Sequence, residues 1–239
     1  MATRTKALAV FAHPDDAEYG CSGSFARWGR RERLEVSYVV CTDGSKGTED
    51  RSLTGAQLSE LRKREQRAAA EVLGLSEVVF LDHPDGGLEP SLELRRDITR
   101  QIRRLRPEIV VTTTPVRDLV NIGIPNYIGH PDHYAAGEAT LSAVFPAARD
   151  HLAFPELLEE GLEPWAVAEV WLMGPGATAN MYHPLTQADV DLSIAALMKH
   201  ASQIADPERV EEFMRARRRE DGPHCGSEYA ERFQRFALN

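Results

Sequence analysis

The sequence predicts a single α/β domain built on a mostly parallel, doubly wound sheet with helices on both faces. Three observations predict it. Short apolar runs of strand length alternate with helix-length segments. Two of the helices end on recognisable stops, Gly74 and Pro107. The β-branched run from Ile109 to Thr114 suits a central strand covered on both sides.

Taken in order, Leu8 to Ala12 is a compact apolar strand, followed after a polar turn by a helix over Ser22 to Arg30. A second strand spans Leu34 to Cys41, a long helix Ala56 to Leu73, and a third strand Val78 to Leu81. Leu92 to Leu105 is helical, since Pro107 biases the residue before it away from helix. The stretch from Pro115 to His133 is a long loop, the kind that usually carries function, and a helix follows from Tyr134 to Val144. A further strand is expected at Val167 to Leu172. The C-terminal region reads as two helices: Thr186 with Asp189 starts the first, and Asp206-Pro207 supplies an N-cap and N1 pair for the second. The expected division is an α/β domain over residues 1–185 and a helical extension over 186–239 packed on the same domain. Such a Rossmann-like sheet gathers the loops after Ala12, Cys41, Leu81 and Thr114 at its carboxyl edge, where these folds bind ligands.

Composition narrows the function. The 239 residues carry 28 Lys+Arg against 37 Asp+Glu, a net charge of −9 that disfavours nucleic acid as a partner. Three widely spaced cysteines, Cys21, Cys41 and Cys225, offer neither a disulfide framework nor zinc-finger pairing, so a reducing, cytoplasmic setting is expected. The N-terminal apolar run is broken at His13, so neither a signal peptide nor a membrane span is expected.

Two polar clusters fall at the expected ligand edge. His13-Pro14-Asp15-Asp16 follows the first strand, and His13 with Asp16 can offer a nitrogen and an oxygen to one metal while Asp15 stays outside its coordination. Adjacent carboxylates in a small site repel unless a cation or proton offsets them. The alternative is a surface turn with a helix-capping aspartate. His130-Pro131-Asp132-His133 closes the long loop. If His133 joins His13 and Asp16, the metal gains two nitrogens and a carboxylate with a position left for water, the catalytic pattern. His130 then remains as a proton donor or oxyanion partner. Read alone, HPDH is equally a polar loop in which an aspartate orients a histidine.

With AHPDDAEYGCSG at residues 12–23, TDGSKG at 42–47 and HPDH at 130–133, the chain resembles the LmbE-like, or PIG-L-type, zinc-dependent deacetylase family over most of its length. The resemblance implies one catalytic Zn²⁺ and hydrolysis of an acetamido group, often on an N-acetylglucosamine derivative. It implies His13, Asp16 and His133 as metal ligands, Asp15 as general base and His130 as the second histidine of the reaction. It also implies Arg62 as a substrate-positioning residue with Glu65 as its i,i+3 companion, although LRKREQR reads equally as a solvated helix face. Asp43 in TDGSKG can accept a hydrogen bond near the site or simply serve a βα turn; Asp85 can accept from sugar hydroxyls. His200 in KHASQ either approaches the pocket or ties the C-terminal region to the core. Where some glycan-deacetylating relatives carry a tyrosine two residues before HPDH, this chain has Ile128, with Tyr127 adjacent. The expected partner is a small N-acetylated sugar conjugate, with homo-oligomerisation possible. The rival readings are a metal-dependent phosphoesterase and a non-catalytic sugar-binding protein with a metal site.

Overall fold

The computed structural model describes residues 5–117, 128–174 and 176–238. Its strands are β1 (Lys6–Phe11), β2 (Glu35–Thr42), β3 (Glu77–His83), β4 (Ile109–Thr113), β5 (Glu169–Met173), β6 (Met181–Leu185) and β7 (Tyr229–Ala237). Its helices are α1 (Asp16–Gly20), α2 (Ser22–Ala26), α3 (Gly55–Leu73), α4 (Leu92–Leu105), α5 (Pro131–Ser142), α6 (Glu156–Glu159), α7 (Gln187–Leu197) and α8 (Pro207–Asp221). The strands form one sheet in the order β3-β2-β1-β4-β5-β7-β6. The first five are parallel, and β7 runs antiparallel to both neighbours.

β1 lies between β2 and β4, so both its faces must be apolar. Its sequence meets that demand with period two. Leu8 and Val10, with Ala12 just beyond the strand, enter one core together with Leu94, Ile98, Ile102 and Leu105 of α4. Ala7, Ala9 and Phe11 enter the opposite core with Phe25 of α2 and Ala69 and Leu73 of α3. Each such Leu, Ile or Phe side chain withdrawn from water contributes about 1.5–3 kcal/mol before entropy is counted. Helix ends are set locally. The Thr54 hydroxyl accepts from Gln57 N while Gln57 reaches back to Thr54, and Gly74, at φ 75°, closes α3 in the left-handed conformation glycine tolerates.

The expectation of a purely helical extension over 186–239 is corrected by β7, which inserts between β5 and β6. Its strand character is masked by Glu231, Arg232 and Arg235. Tertiary partners make the strand possible: buried Glu231 accepts from Gly23 N, Ser24 N and the Ser24 hydroxyl, and pairs with Arg218 at 2.7 Å. β6 is the outermost strand and carries Pro184, which an edge tolerates. Leu185, Val190, Ile194, Leu197, Met214 and Tyr229 form a third core that fastens α7 and α8 to this end of the sheet. No helix among the described residues is long and apolar enough to cross a membrane.

The chain leaves β1 for β2 and β3 on one side and returns to β4 on the other, so the crevice between β1 and β4 is the switch point of the sheet. The two polar clusters flank it: one follows β1, the other opens α5 after β4.

Candidate metal site and active-site cavity

The first cluster is held in an uncommon backbone shape. Asp15 has φ 103°, outside the range that L-residues prefer, and costs on the order of 1–3 kcal/mol unless its surroundings fix it. Gln66 of α3 accepts the Asp15 N–H at 3.1 Å, and Asp16 Oδ2 accepts the His13 N–H at 2.9 Å. The turn therefore starts α1 at Asp16 and sends His13 and Asp16 to one side.

The second cluster is a capped helix start. The His130 ring accepts the Asp132 N–H at 3.2 Å and Pro131 occupies the first turn of α5. Asp132 also lies in that first turn, where the helix dipole favours a carboxylate, and it is buried.

The two clusters meet. His133 Nε2 lies 3.1 Å from His13 Nδ1 and 3.0 Å from Asp16 Oδ1, while Asp16 Oδ2 lies 3.7 Å from His13 Nδ1. Two nitrogens and a carboxylate around a tetrahedral cation at roughly 2.0–2.1 Å stand about 3.3 Å apart, so this set fits a zinc-like ion. The other face of His13 supports the fit. Its Nε2 lies 3.1 Å from Asp132 Oδ2 and 3.2 Å from Asp85 Oδ1, which places the ring proton on Nε2 and directs the Nδ1 lone pair to the donor set. Donor atoms of His13, His130 and His133 also lie within 4.8 Å of one another, as do those of His13, Asp85, His130 and Asp132. The latter set shares the Nε2 edge of His13 already committed to carboxylates, whereas the set of His13 Nδ1, His133 and Asp16 leaves that edge undisturbed.

The electrostatics at this cluster favour positive charge. Burial alone would lower the His13 pKa, yet hydrogen bonds to Asp132, Asp16 and Asp85 push it up to about 12, so its surroundings favour positive charge. Burial opposes charge on His133 as well, but Asp16 raises its pKa. Burial pushes Asp15 up to about 6 against the pull of Arg62, with Asp16 adding to the rise. His130 goes the other way, lowered by burial and then by the neighbouring His13. With Nδ1 accepting from Asp132, the neutral His130 ring carries its proton on Nε2.

His13, Asp15, Asp16, His130 and His133 line one open cavity of about 1210 Å³. That exceeds the roughly 300–1,000 Å³ of most small-molecule pockets and leaves room for more than one sugar ring.

Comparison with known proteins accords with this geometry. A family model described as PIG-L, GlcNAc-PI de-N-acetylase, matches residues 8–144, more than half of the chain. The chain belongs to the PIG-L family. Diacetylchitobiose deacetylase of Thermococcus kodakarensis is 31% identical over 95% of this chain and 81% of its own length. The structure of N,N'-diacetylchitobiose deacetylase from Pyrococcus horikoshii superposes with a TM-score of 0.86 at 29% identity, covering 98% of this chain and 84% of that one. A third relative, a probable N-acetyl-α-D-glucosaminyl L-malate deacetylase of Bacillus anthracis, is 28% identical over 86% of this chain and 84% of its own.

The structure distributes the remaining expected residues of this PIG-L protein unevenly. Arg62 lines the cavity, but most of its guanidinium is spent on the loops: it donates to Pro14 O at 2.8 Å and Lys46 O at 3.1 Å and lies 3.5 Å from Asp15 Oδ2. Its expected pairing with Glu65 is corrected. Glu65 instead accepts from Ser202 N at 2.9 Å and from the Ser202 hydroxyl at 2.6 Å. Asp85 lies in the cavity wall, held by Lys46 N at 2.9 Å. Asp43 does not line the cavity; its Oδ1 accepts from Ser45 N and Asp85 N and so braces the Asp85 loop. His200 is fully buried 3.5 Å from Glu18, behind the cavity wall, in the tethering position. Ile128 is exposed and Tyr127 lies outside the described residues.

Sequence reasoning missed three contributors. Asp132 sits inside HPDH but its role needs Gly86 N (2.7 Å) and Leu88 N (3.2 Å) from a distant loop, as well as His13. Gln66 is one letter in a charged helix stretch, and nothing local marks its reach to Asp15. Tyr134, in α5, lines the cavity with its hydroxyl packed against Gly129, where any Cβ would collide with it; its place one residue after HPDH was the available signal.

Proposed function

We propose that the protein is a zinc-dependent hydrolase that removes the acetyl group from an N-acetylated amino sugar, an N-acetylglucosamine derivative or conjugate. The observation that carries this reading is the convergence of His13 Nδ1, His133 Nε2 and the Asp16 carboxylate at 3.0–3.7 Å beside Asp15 in a sugar-sized cavity. The names of its relatives supply the substrate class: deacetylases of diacetylchitobiose and of an N-acetylglucosaminyl malate.

His13, Asp16 and His133 would hold the ion. Zinc so held supplies Lewis acidity, acidifying water to a pKa of about 7 and polarising an acyl oxygen. Asp15 accepts the proton of the attacking water, a task suited to a carboxylate raised to about 6. The neutral His130 ring donates from Nε2 to the oxygen on which negative charge builds in the tetrahedral transition state. The C–O bond to water forms, the C–N bond breaks, and the proton taken by Asp15 passes to the departing amine. Acetate and a primary amine leave. The three free cysteines fit a cytoplasmic setting.

The test is a screen of N-acetylated amino sugars read by acetate release, run beside metal stoichiometry. One zinc per chain with acetate and amine in equal amounts is expected. Phosphate release from phosphoesters with two metals per chain, or sugar binding without acetate, would overturn the reading in favour of its rivals.

A further inference from the structure

Part of the cavity wall is built by the C-terminal elements. Arg217 of α8 and Arg232 of β7 both line it, together with Tyr19 and Gly20 of α1. Three arginines gather here against three carboxylates, but they do not pair evenly. Arg218 is taken by Glu231 at 2.7 Å, and Arg232 by Asp221 at 3.4 Å. Among the described residues Arg217 makes no hydrogen bond and no ion pair within 4.0 Å. The remaining carboxylate on this wall, Glu220, is exposed and does not pair with it. Burial and the neighbouring charges of Arg218 and Arg232 make the cationic form of Arg217 less favourable than usual, while Asp221 and Glu231 only partly offset this. An arginine unpaired beside two others and lining the cavity has its donors available to an anion.

α1 gives the placement. Its first residue, Asp16, belongs to the metal-ligand set and its last, Gly20, borders the arginine wall, a helical rise of roughly 6 Å. An acetamido group at Asp15 and an acidic group at Arg217 thus belong to different parts of one ligand.

We propose that Arg217, assisted by Arg232, binds a carboxylate or phosphate on the group attached to the amino sugar, so the preferred substrate is an anionic N-acetylglucosamine conjugate. This rests on the deacetylase reading above and extends it to substrate charge.

The test uses two probes that differ in one group: N-acetylglucosamine carrying a glycolate aglycone, and the same sugar carrying the glycolamide. The quantity read is the ratio of kcat/KM between them, from acetate release by zinc-loaded protein. Wild type is expected to prefer the carboxylate by about 10–100-fold, Arg217→Ala to bring the ratio close to one, and Arg217→Lys to restore part of it. A phosphorylated third probe, N-acetylglucosamine 1-phosphate, distinguishes phosphate from carboxylate as the anion. A wild-type ratio near one for all anionic probes, or a preference that survives both substitutions, overturns the proposal while leaving deacetylation intact. Absence of acetate from every probe and from diacetylchitobiose overturns the deacetylase reading itself.

Discussion

Replacing Asp132 by asparagine separates support of the metal site from support of the fold. The carboxylate takes His13 Nε2 (3.1 Å) and Gly86 N (2.7 Å) on Oδ2 and Leu88 N (3.2 Å) on Oδ1. An asparagine keeps one acceptor oxygen and puts an NH₂ where the other stood. Either Leu88 N or the Gly86–His13 pair then faces a donor. A buried donor left without an acceptor costs about 1–3 kcal/mol, which for a chain of this length lowers Tm by roughly 2–12 °C. The effect on the metal is separate. Loss of the anion that fixes the His13 proton on Nε2 makes Nδ1 a poorer ligand, and such changes cost about 10–100-fold in affinity. The assays are zinc affinity by chelator competition and thermal unfolding of the zinc-free protein. Zinc affinity equal to wild type in a variant with lowered Tm would refute the argument, because Asp132 would then brace the 85–88 loop and do nothing for His13.

Three further outcomes are expected. Asp15→Asn retains its zinc but loses turnover by about 10²–10⁴-fold, whereas His13→Ala and His133→Ala lose both, as metal analysis beside kcat will show; full turnover by zinc-loaded Asp15→Asn removes Asp15 as the base. Gln66→Leu deletes the acceptor of the Asp15 N–H and the donor to Glu18, so kcat falls with KM nearly unchanged; a loss confined to KM would place Gln66 with substrate instead. His200 tests pH linkage: burial lowers its pKa, but Glu18 outweighs this and raises it above 6.5. Its stabilising contribution is therefore full below about pH 6.5 and fades as pH rises through the higher folded-state value, so the Tm gap between wild type and His200→Leu narrows as pH rises above that point. A gap that widens with pH contradicts the pairing.

The parallel half of the sheet was legible because its signals are local. Val36, Val39, Val110 and Val111 must be apolar on a strand with neighbours on both sides, and the helix stops at Gly74 and Pro107 act within a few residues of themselves. β7 was illegible for the opposite reason. Glu231 in the middle of a strand looks like a break in the pattern until the Gly23 and Ser24 amides, from a position more than 200 residues earlier, supply its hydrogen bonds. A buried charge that stabilises a fold through distant donors leaves no mark in its own neighbourhood.

The site divides along the same line. The convergence of His13, Asp15, Asp16, His130 and His133 was readable because each lies in a short motif at the end of a recognisable element, and the topology alone brings those ends to one crevice. Asp132 shares the motif, yet a carboxylate beside two histidines reads as a third ligand or as a capping residue with equal ease. Only the direction of the His13 ring decides between these roles. Nε2 is taken by Asp132 and Asp85, so Nδ1 faces the proposed metal position, and that direction depends on Gly86 and Leu88 fixing Asp132 from another loop. The proposed ligands thus lie in two four-residue motifs, while the contacts that orient His13 come from a third segment that no spacing rule connects to them. Substitutions at Gly86 or Leu88 that shift this loop should therefore weaken metal binding at the proposed site without touching any of its ligands, as zinc affinity by chelator competition will show.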